Sequence, residues 1–246
     1  MEYTLKLEAD LHVHTVASGH AFSTVEEIVK AARLKGLKGI GLTDHGPALP
    51  GGAHPYHFWN QRVFPREMEG VRIFRGAEAN IVNLKGEIDL DEEILESLDL
   101  VLVAFHLFCG YEGKSKSENT KALIKAMENP FVDGVVHPGN PIFPIEAEEV
   151  VKVAKEKDIF LELNNSSFLE NTSRKGSYQN DLRIAKLALE NDLEIIISSD
   201  AHLASAVGEF GEAIKVARQA GFIEEKILNS SLEKVHNFLI RKGKNI

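Results

Sequence analysis

The chain has 246 residues, a formal net charge of -9 and a composition that is 43% hydrophobic and 26% charged, which suits a globular chain and excludes a disordered or fibrous one. The acidic balance opposes long-range attraction to nucleic acid or to an anionic membrane, unless bound cations reverse the local field. No apolar run approaches the roughly 20 residues that cross a bilayer, the single cysteine, Cys109, can form no internal disulfide, and residues 1–8 lack the apolar core of a signal peptide, so a cytoplasmic location is expected.

In chain order, a β-rich run at residues 7–13 opens the sequence and is followed by the clearest helix. Ser23 is placed to cap it with Glu26 three residues on, Ile28, Ala31, Ala32 and Leu34 supply its apolar face, and Gly36 ends it. Further strands are expected at 39–43, 71–77, 100–104, 134–136, 159–163 and 194–198, with helices at 92–98, 118–127, 146–155, 178–190, 209–219 and 232–241. Between the second and third strands, residues 50–62 form a long aromatic loop that reads as a lid. No Pro/Gly/Ser-rich linker divides the chain, so one domain spanning residues 1–246 is expected. Seven βα units in one domain favour a barrel over an open sheet.

The histidines and carboxylates collect where strands end. His12 and His14 end the first strand, His45 follows the second, Glu78 ends the third, His106 the fourth and His137 the fifth, while Asp200 and His202 end the seventh. In a β/α barrel these ends share one face, where such folds place their active sites. Side chains two apart on a strand project from the same side, so His12 with His14, and Asp200 with His202, can chelate one ion or bridge neighbours. One buried histidine is more often a satisfied core group than a ligand. So many at successive strand ends point to a metal centre, because each unpaired polar group buried there costs roughly 1–3 kcal/mol. Imidazoles and carboxylates without cysteine suit zinc first, with manganese or iron as alternatives.

The run Asp10-Leu11-His12-Val13-His14-Thr15, then His20, Thr43-Asp44-His45-Gly46, Glu78, His106, His137-Pro138-Gly139-Asn140 and Ser199-Asp200-Ala201-His202, resembles the PHP (polymerase and histidinol phosphatase) superfamily. Gly76-Ala77-Glu78-Ala79-Asn80 and Leu163-Asn164-Asn165-Ser166-Ser167 are similar to its YcdX-like phosphatase branch, and the resemblance spans essentially the whole chain. It implies a distorted seven-stranded (β/α)7 TIM-like barrel with three zinc ions. By that resemblance His12, His14, Glu78 and Asp200 hold one ion, Glu78 bridges to a second with His106 and His137, and His20, His45 and His202 hold the third. A homo-oligomer, in particular a trimer, is a further expectation from the resemblance.

Three divalent ions against two carboxylate ligands leave the site at about +4, which matches a phosphate dianion and is excessive for a neutral ester or amide. A water bridging two ions is then a deprotonated nucleophile near neutral pH, so a zinc-dependent phosphatase acting on small phosphate monoesters is the expected function. Glu78, Asp200, His202 and Arg62 are its candidate catalytic residues. Arg62, His57 and Asn164 are candidate substrate contacts, with His54 and Trp59 as lesser ones. Asp10 and Asp44 are placed either to orient ligating imidazoles or to make structural hydrogen bonds. Arg174 and Lys175 read equally as a source of positive charge or as a solvated basic pair, and Cys109 and His236 read as structural. The rival functions are a metal-dependent nuclease or phosphodiesterase, disfavoured by the lack of a basic stripe, a histidinol-phosphatase-like enzyme with the same site chemistry, and a metal-binding protein without turnover.

Overall fold

The computed structural model of the chain describes residues 5–113 and 115–246. Residues 1–4, part of the stretch read for a signal peptide, and Lys114 lie outside the described residues. In chain order the elements are β1 (Ala9–Val13), α1 (Val25–Leu34), β2 (Gly39–Leu42), α2 (Pro55–Asn60), β3 (Glu67–Met68), β4 (Val71–Asn80), α3 (Glu92–Ser97), β5 (Leu100–Ala104), α4 (Lys116–Met127), β6 (Gly134–Val135), α5 (Ala147–Glu156), β7 (Phe160–Asn164), α6 (Ser177–Glu190), β8 (Ile195–Ser198), α7 (Gly211–Ala220) and α8 (Leu232–Arg241). No helix among the described residues is long and apolar enough to cross a membrane.

Seven strands run parallel in the order β1-β2-β4-β5-β6-β7-β8, flanked by helices, and the two-residue β3 adds antiparallel to β4. The last strand comes back to the first. Val13 pairs with Ala201 just beyond β8, and the His14 N–H donates to the Ala201 carbonyl at 2.9 Å. The result is a nearly closed (β/α)7 barrel, distorted where the β1–β2 register shifts between Asp10 and Val13. Gly41 makes that side narrow, because a Cβ at this position would come within 2.6 Å of the Leu11 carbonyl oxygen.

Alternation along each strand separates two cores. Ile73, Ala77 and Ala79 of β4, Val101 and Val103 of β5, Leu161 and Leu163 of β7, and Ile195 and Ile197 of β8 belong to the cluster that packs under the surrounding helices. The intervening residues Phe74, Leu100, Leu102, Phe160 and Ile196 join Leu228, Val235, Phe238 and Leu239 in a second cluster inside the barrel, plugged by α8. Phe238 of α8 packs against Phe160 with ring centroids 5.4 Å apart and planes tilted by 56°, and Gly134 leaves room for the Phe160 ring, which a Cβ there would meet at 2.0 Å. Truncating Phe238 to Ala would cost about 3–5 kcal/mol.

The same inward-facing positions turn polar toward the C-terminal ends. Phe74 is followed two residues apart by Gly76, Glu78 and Asn80, Phe160 by Glu162 and Asn164, and Ile196 by Ser198 and Asp200. A packed apolar floor therefore supports a polar mouth, the usual division of labour in such barrels.

Local details depart from the sequence reading in three places. The capping box of α1 is Thr24 with Glu27, not Ser23 with Glu26; Ser23 Oγ accepts instead from the Ala204 N–H, tying the loop after β8 to the loop after β1. The loop at 50–62 contains α2, capped by the His54 side chain, and a further turn at Gln61–Val63. The third predicted strand continues to Asn80.

Candidate metal centre

The side chains of His12, His14, His45, Glu78, His106, His137, Asp200 and His202 meet at the mouth of the barrel. Glu78 is central and fully buried. Its Oε2 lies 2.7 Å from His45 Nδ1, 3.4 Å from His12 Nε2 and 3.5 Å from His14 Nε2, while its Oε1 lies 2.8 Å from His137 Nε2 and 3.3 Å from His106 Nε2. Asp200 Oδ1 lies 3.2 Å from His14 Nε2 and 3.7 Å from His12 Nε2. Donor atoms of three sets gather within 4.8 Å of one another: His12, His14 and Asp200; His45, Glu78 and His106; and His14, His45 and His202. His20 stands at the edge, exposed, with its ring 5.0 Å from that of His45 and 4.8 Å from that of His202.

Whether these residues fit a cation can be judged from their unsatisfied atoms. His12 Nε2, His14 Nε2, His45 Nδ1 and Glu78 Oε2 are buried without a well-formed hydrogen bond, although they crowd one another. Leaving such atoms unpaired costs roughly 1–3 kcal/mol each. Three imidazole nitrogens crowding one carboxylate oxygen is the kind of donor arrangement that divalent cations satisfy.

The far sides of the rings are held in place. His12 Nδ1 lies 2.7 Å from Glu162 Oε1, His106 Nδ1 2.8 Å from Asn80 Oδ1, His202 Nδ1 3.0 Å from the Asp200 carbonyl, and His14 Nδ1 3.5 Å from Ser18 Oγ. With Nδ1 as the donor, Nε2 is left as the inward lone pair, which is how ligating histidines are oriented. Glu162, fully buried on β7, also accepts from Ser198 Oγ, the His137 N–H and Asn164 Nδ2. Backbone strain marks two of the converging positions, since His137 and Asp200 adopt φ of 35° and 54°, rare for residues with a side chain.

Electrostatics favour the neutral imidazole at His14 and His137 and oppose it at His12. Burial, reinforced by His45, holds His14 well below the ordinary histidine range, and burial followed by Arg174 lowers His137 to about 4. Burial also opposes charge on Glu78 and Asp200. The surrounding histidines outweigh it for Glu78, and His12 with Arg174 outweighs it for Asp200, so both stay ionised. Burial likewise opposes a proton on His12, yet Glu162, Glu78 and Asp200 together pull its pKa well above the usual value. That concentration of negative potential is what a cation answers.

Several residues take places other than those expected. Arg62 is exposed, its guanidinium 5.9 Å from the centre of the Trp59 ring, and it does not line the cavity; the neighbouring Gln61 is the inward residue of that turn, donating to the Gly76 carbonyl. The guanidinium at the site belongs to Arg174, 14% exposed, which donates to Asp200 Oδ2, Ser166 Oγ, Ser167 Oγ and Asn164 Oδ1. The solvated-pair reading of Arg174 is therefore wrong. His57 also misses the cavity and instead reaches Asp44 Oδ2 at 3.2 Å. Asn164 is fully buried beneath it, bridging Glu162 and Asp200. Asp44 is linked by hydrogen bonds to His14 through Ser18, which donates to it at 2.7 Å, and Asp10 accepts from the Ser199 N–H, Ser199 Oγ and the Gly208 N–H rather than from an imidazole, pinning the segment that carries Asp200. Glu162 and Asn80 were not singled out as orienting groups. A charged residue amid Phe160-Leu161-Glu162-Leu163 was the available signal.

Above the cluster lies a cavity of about 510 Å³. Its polar lining comprises His20, His45, His106, Asp200, His202, Arg174, Ser166, Ser173 and Asn140, and its other lining residues are apolar.

The profile of the PHP domain matches residues 10–246. A probable phosphatase of Caldanaerobacter subterraneus subsp. tengcongensis is 48% identical over 242 residues, covering 98% of this chain and 94% of the relative. A probable phosphatase of Thermoanaerobacter sp. (strain X514) is 46% identical over 242 residues, covering 98% of each. Among solved structures, the histidinol phosphate phosphatase of Lactococcus lactis, complexed with zinc, L-histidinol and phosphate, superposes with a TM-score of 0.61 at 17% identity, over 89% of this chain and 95% of that one. At that identity the likeness is one of fold.

Proposed function

The chain belongs to the PHP domain family, and from that premise we propose that it is a phosphatase that hydrolyses small phosphate monoesters at a trinuclear zinc centre. The observation that carries the reading is the crowding of the unpaired His12 Nε2, His14 Nε2 and His45 Nδ1 around Glu78 Oε2, at 3.4, 3.5 and 2.7 Å, near a cavity lined by Arg174. The relatives named as probable phosphatases support the reaction class.

In this reading His12, His14, Glu78 and Asp200 hold one ion, Glu78 with His106 and His137 a second, and His20, His45 and His202 the third. Zinc bound there supplies a nucleophilic water near neutral pH and neutralises phosphate charge. The remaining work falls to the chain. Arg174 places a fixed positive charge beside Asp200 on the cavity wall, where it binds a phosphoryl oxygen and opposes the charge that grows on it during displacement. Glu162 and Asn80 hold the rings of His12 and His106 so that their inward nitrogens stay on target. Ser166 and Asn140 offer neutral hydrogen bonds at the rim.

The test is elemental analysis of the purified protein, followed by turnover of p-nitrophenyl phosphate and of single-stranded DNA. Three zincs per chain and hydrolysis of the monoester alone are expected. A folded protein that binds no metal, or a zinc-loaded one that cleaves DNA but no monoester, would overturn the proposal.

A further inference from the structure

Resting on the phosphatase reading, the structure points to the kind of alcohol that leaves. The cavity is far larger than a phosphate needs, and its apolar lining includes Phe105, Leu107, Phe108, Ile142 and Phe143 beside Leu49 and Pro50. Phe105 and Phe143 are buried and stacked, with centroids 5.3 Å apart, so that part of the wall is rigid. Leu107, Phe108 and Ile142 line the same cavity and are 49%, 83% and 46% exposed.

Phe108 is the most telling of these. It holds φ at 68°, a conformation costly for any residue with a Cβ, and Gly110 two residues on is also left-handed. The turn thus sets a large apolar ring out at the cavity mouth, where it has little protein to pack against. Among the described residues that line the cavity, Asp200 is the only carboxylate, and its oxygens already face Arg174, Asn164, Ser166 and His14. No acidic partner remains for an ammonium on the leaving group.

We propose that Phe108 and Ile142, backed by Phe105 and Phe143, form an apolar seat that selects monoesters with an uncharged aromatic or aliphatic leaving group over those bearing an amine or several hydroxyls. The gain expected is about ten-fold, which is what burying roughly 55 Å² of apolar surface returns.

The experiment compares 2-phenylethyl phosphate, glycerol 3-phosphate and L-histidinol phosphate, all esters of primary alcohols, on the zinc-loaded protein, and measures binding of 2-phenylethylphosphonate against methylphosphonate by calorimetry. Phe108→Gly removes the ring and relieves the backbone, so it tests the seat without threatening the fold; Phe108→Tyr keeps the ring. The expected result is a kcat/KM for the phenylethyl ester about ten-fold above the other two, a matching preference between the phosphonates, and loss of most of both in Phe108→Gly but not in Phe108→Tyr. Equal turnover of the three esters, or a preference unchanged in Phe108→Gly, overturns the seat and leaves the phosphatase reading intact. Selective phosphonate binding without turnover of any ester supports the seat and defeats the phosphatase reading. Absence of both selective binding and selective turnover overturns the seat.

Discussion

His12 Nδ1 and Glu162 Oε1, 150 residues apart in the chain, meet at 2.7 Å inside the barrel, both fully buried. Glu162 thereby holds an imidazole of the candidate metal centre from behind. Glu162→Gln preserves the volume but turns an NH2 either toward His12 Nδ1 and Ser198 Oγ or toward the His137 N–H and Asn164 Nδ2, groups that already donate. Zinc affinity is expected to fall about 10–100-fold, as for other groups that orient ligating histidines. Titration with a competing zinc chelator measures it, and an affinity equal to that of the unchanged protein would reject the role.

Arg174 and Arg62 make opposite predictions. Arg174→Ala removes the guanidinium from the cavity wall and should lower kcat/KM for a monoester by about 10²–10³, the usual effect of losing one donor to a developing oxyanion. Arg174→Lys should recover little, because a lysine cannot reproduce a fork whose Nη2 reaches Asp200, Ser166 and Asn164 while its Nε donates to Ser167 Oγ. Arg62→Ala, on an exposed side chain outside the cavity, should remain within about two-fold of the unchanged protein. Steady-state kinetics on the three variants decide it; the reverse ranking would return the phosphate contact to Arg62.

Chelation should destabilise the protein without unfolding it. Both apolar clusters form beneath or outside the centre and include none of its ligands. Each ion held at a hundred times its dissociation constant contributes about 2.7 kcal/mol by mass action. Melting followed by circular dichroism should show a lower Tm in EDTA, still one cooperative transition, restored by added zinc. A Tm indifferent to both reagents would contradict metal binding.

Asp133 supplies a pH test remote from the centre. Burial raises its carboxyl to about 6, although Lys244 Nζ at 3.1 Å and the Val101 N–H pull the other way. Because the folded value lies above the ordinary 3.8, the stability linked to this group is complete below about pH 4 and is lost as pH rises through 6. Asp133→Asn cannot ionise, so its stability relative to the unchanged protein should rise by about 3 kcal/mol between pH 4 and pH 8. The histidines titrate alike in both proteins and cancel in the difference. Urea unfolding at the two pH values measures it, and a difference that does not change with pH would refute the assignment.

Much of the architecture was legible in the sequence because it is written in local patterns. The spacing of two in His12-Val13-His14 puts both imidazoles on one side of the strand before any fold is known. The capping box of α1 was misplaced by one residue because Ser23 and Thr24 are equally good caps with Glu26 and Glu27 in register behind them. Only the docking of Ser23 onto Ala204 separates the two.

The sequence by itself determined which side chains stand at strand ends, since residue type and a spacing of two are properties of a single segment. Closure of the barrel decided which of them meet and what holds them. Arg174 reaches Asp200 across 26 residues, Glu162 reaches His12 across 150, and Arg62 turns away because Gln61 takes the inward place. No segment encodes such pairings alone, because they exist only once Val13 has come to rest beside Ala201 and the strand ends share one mouth.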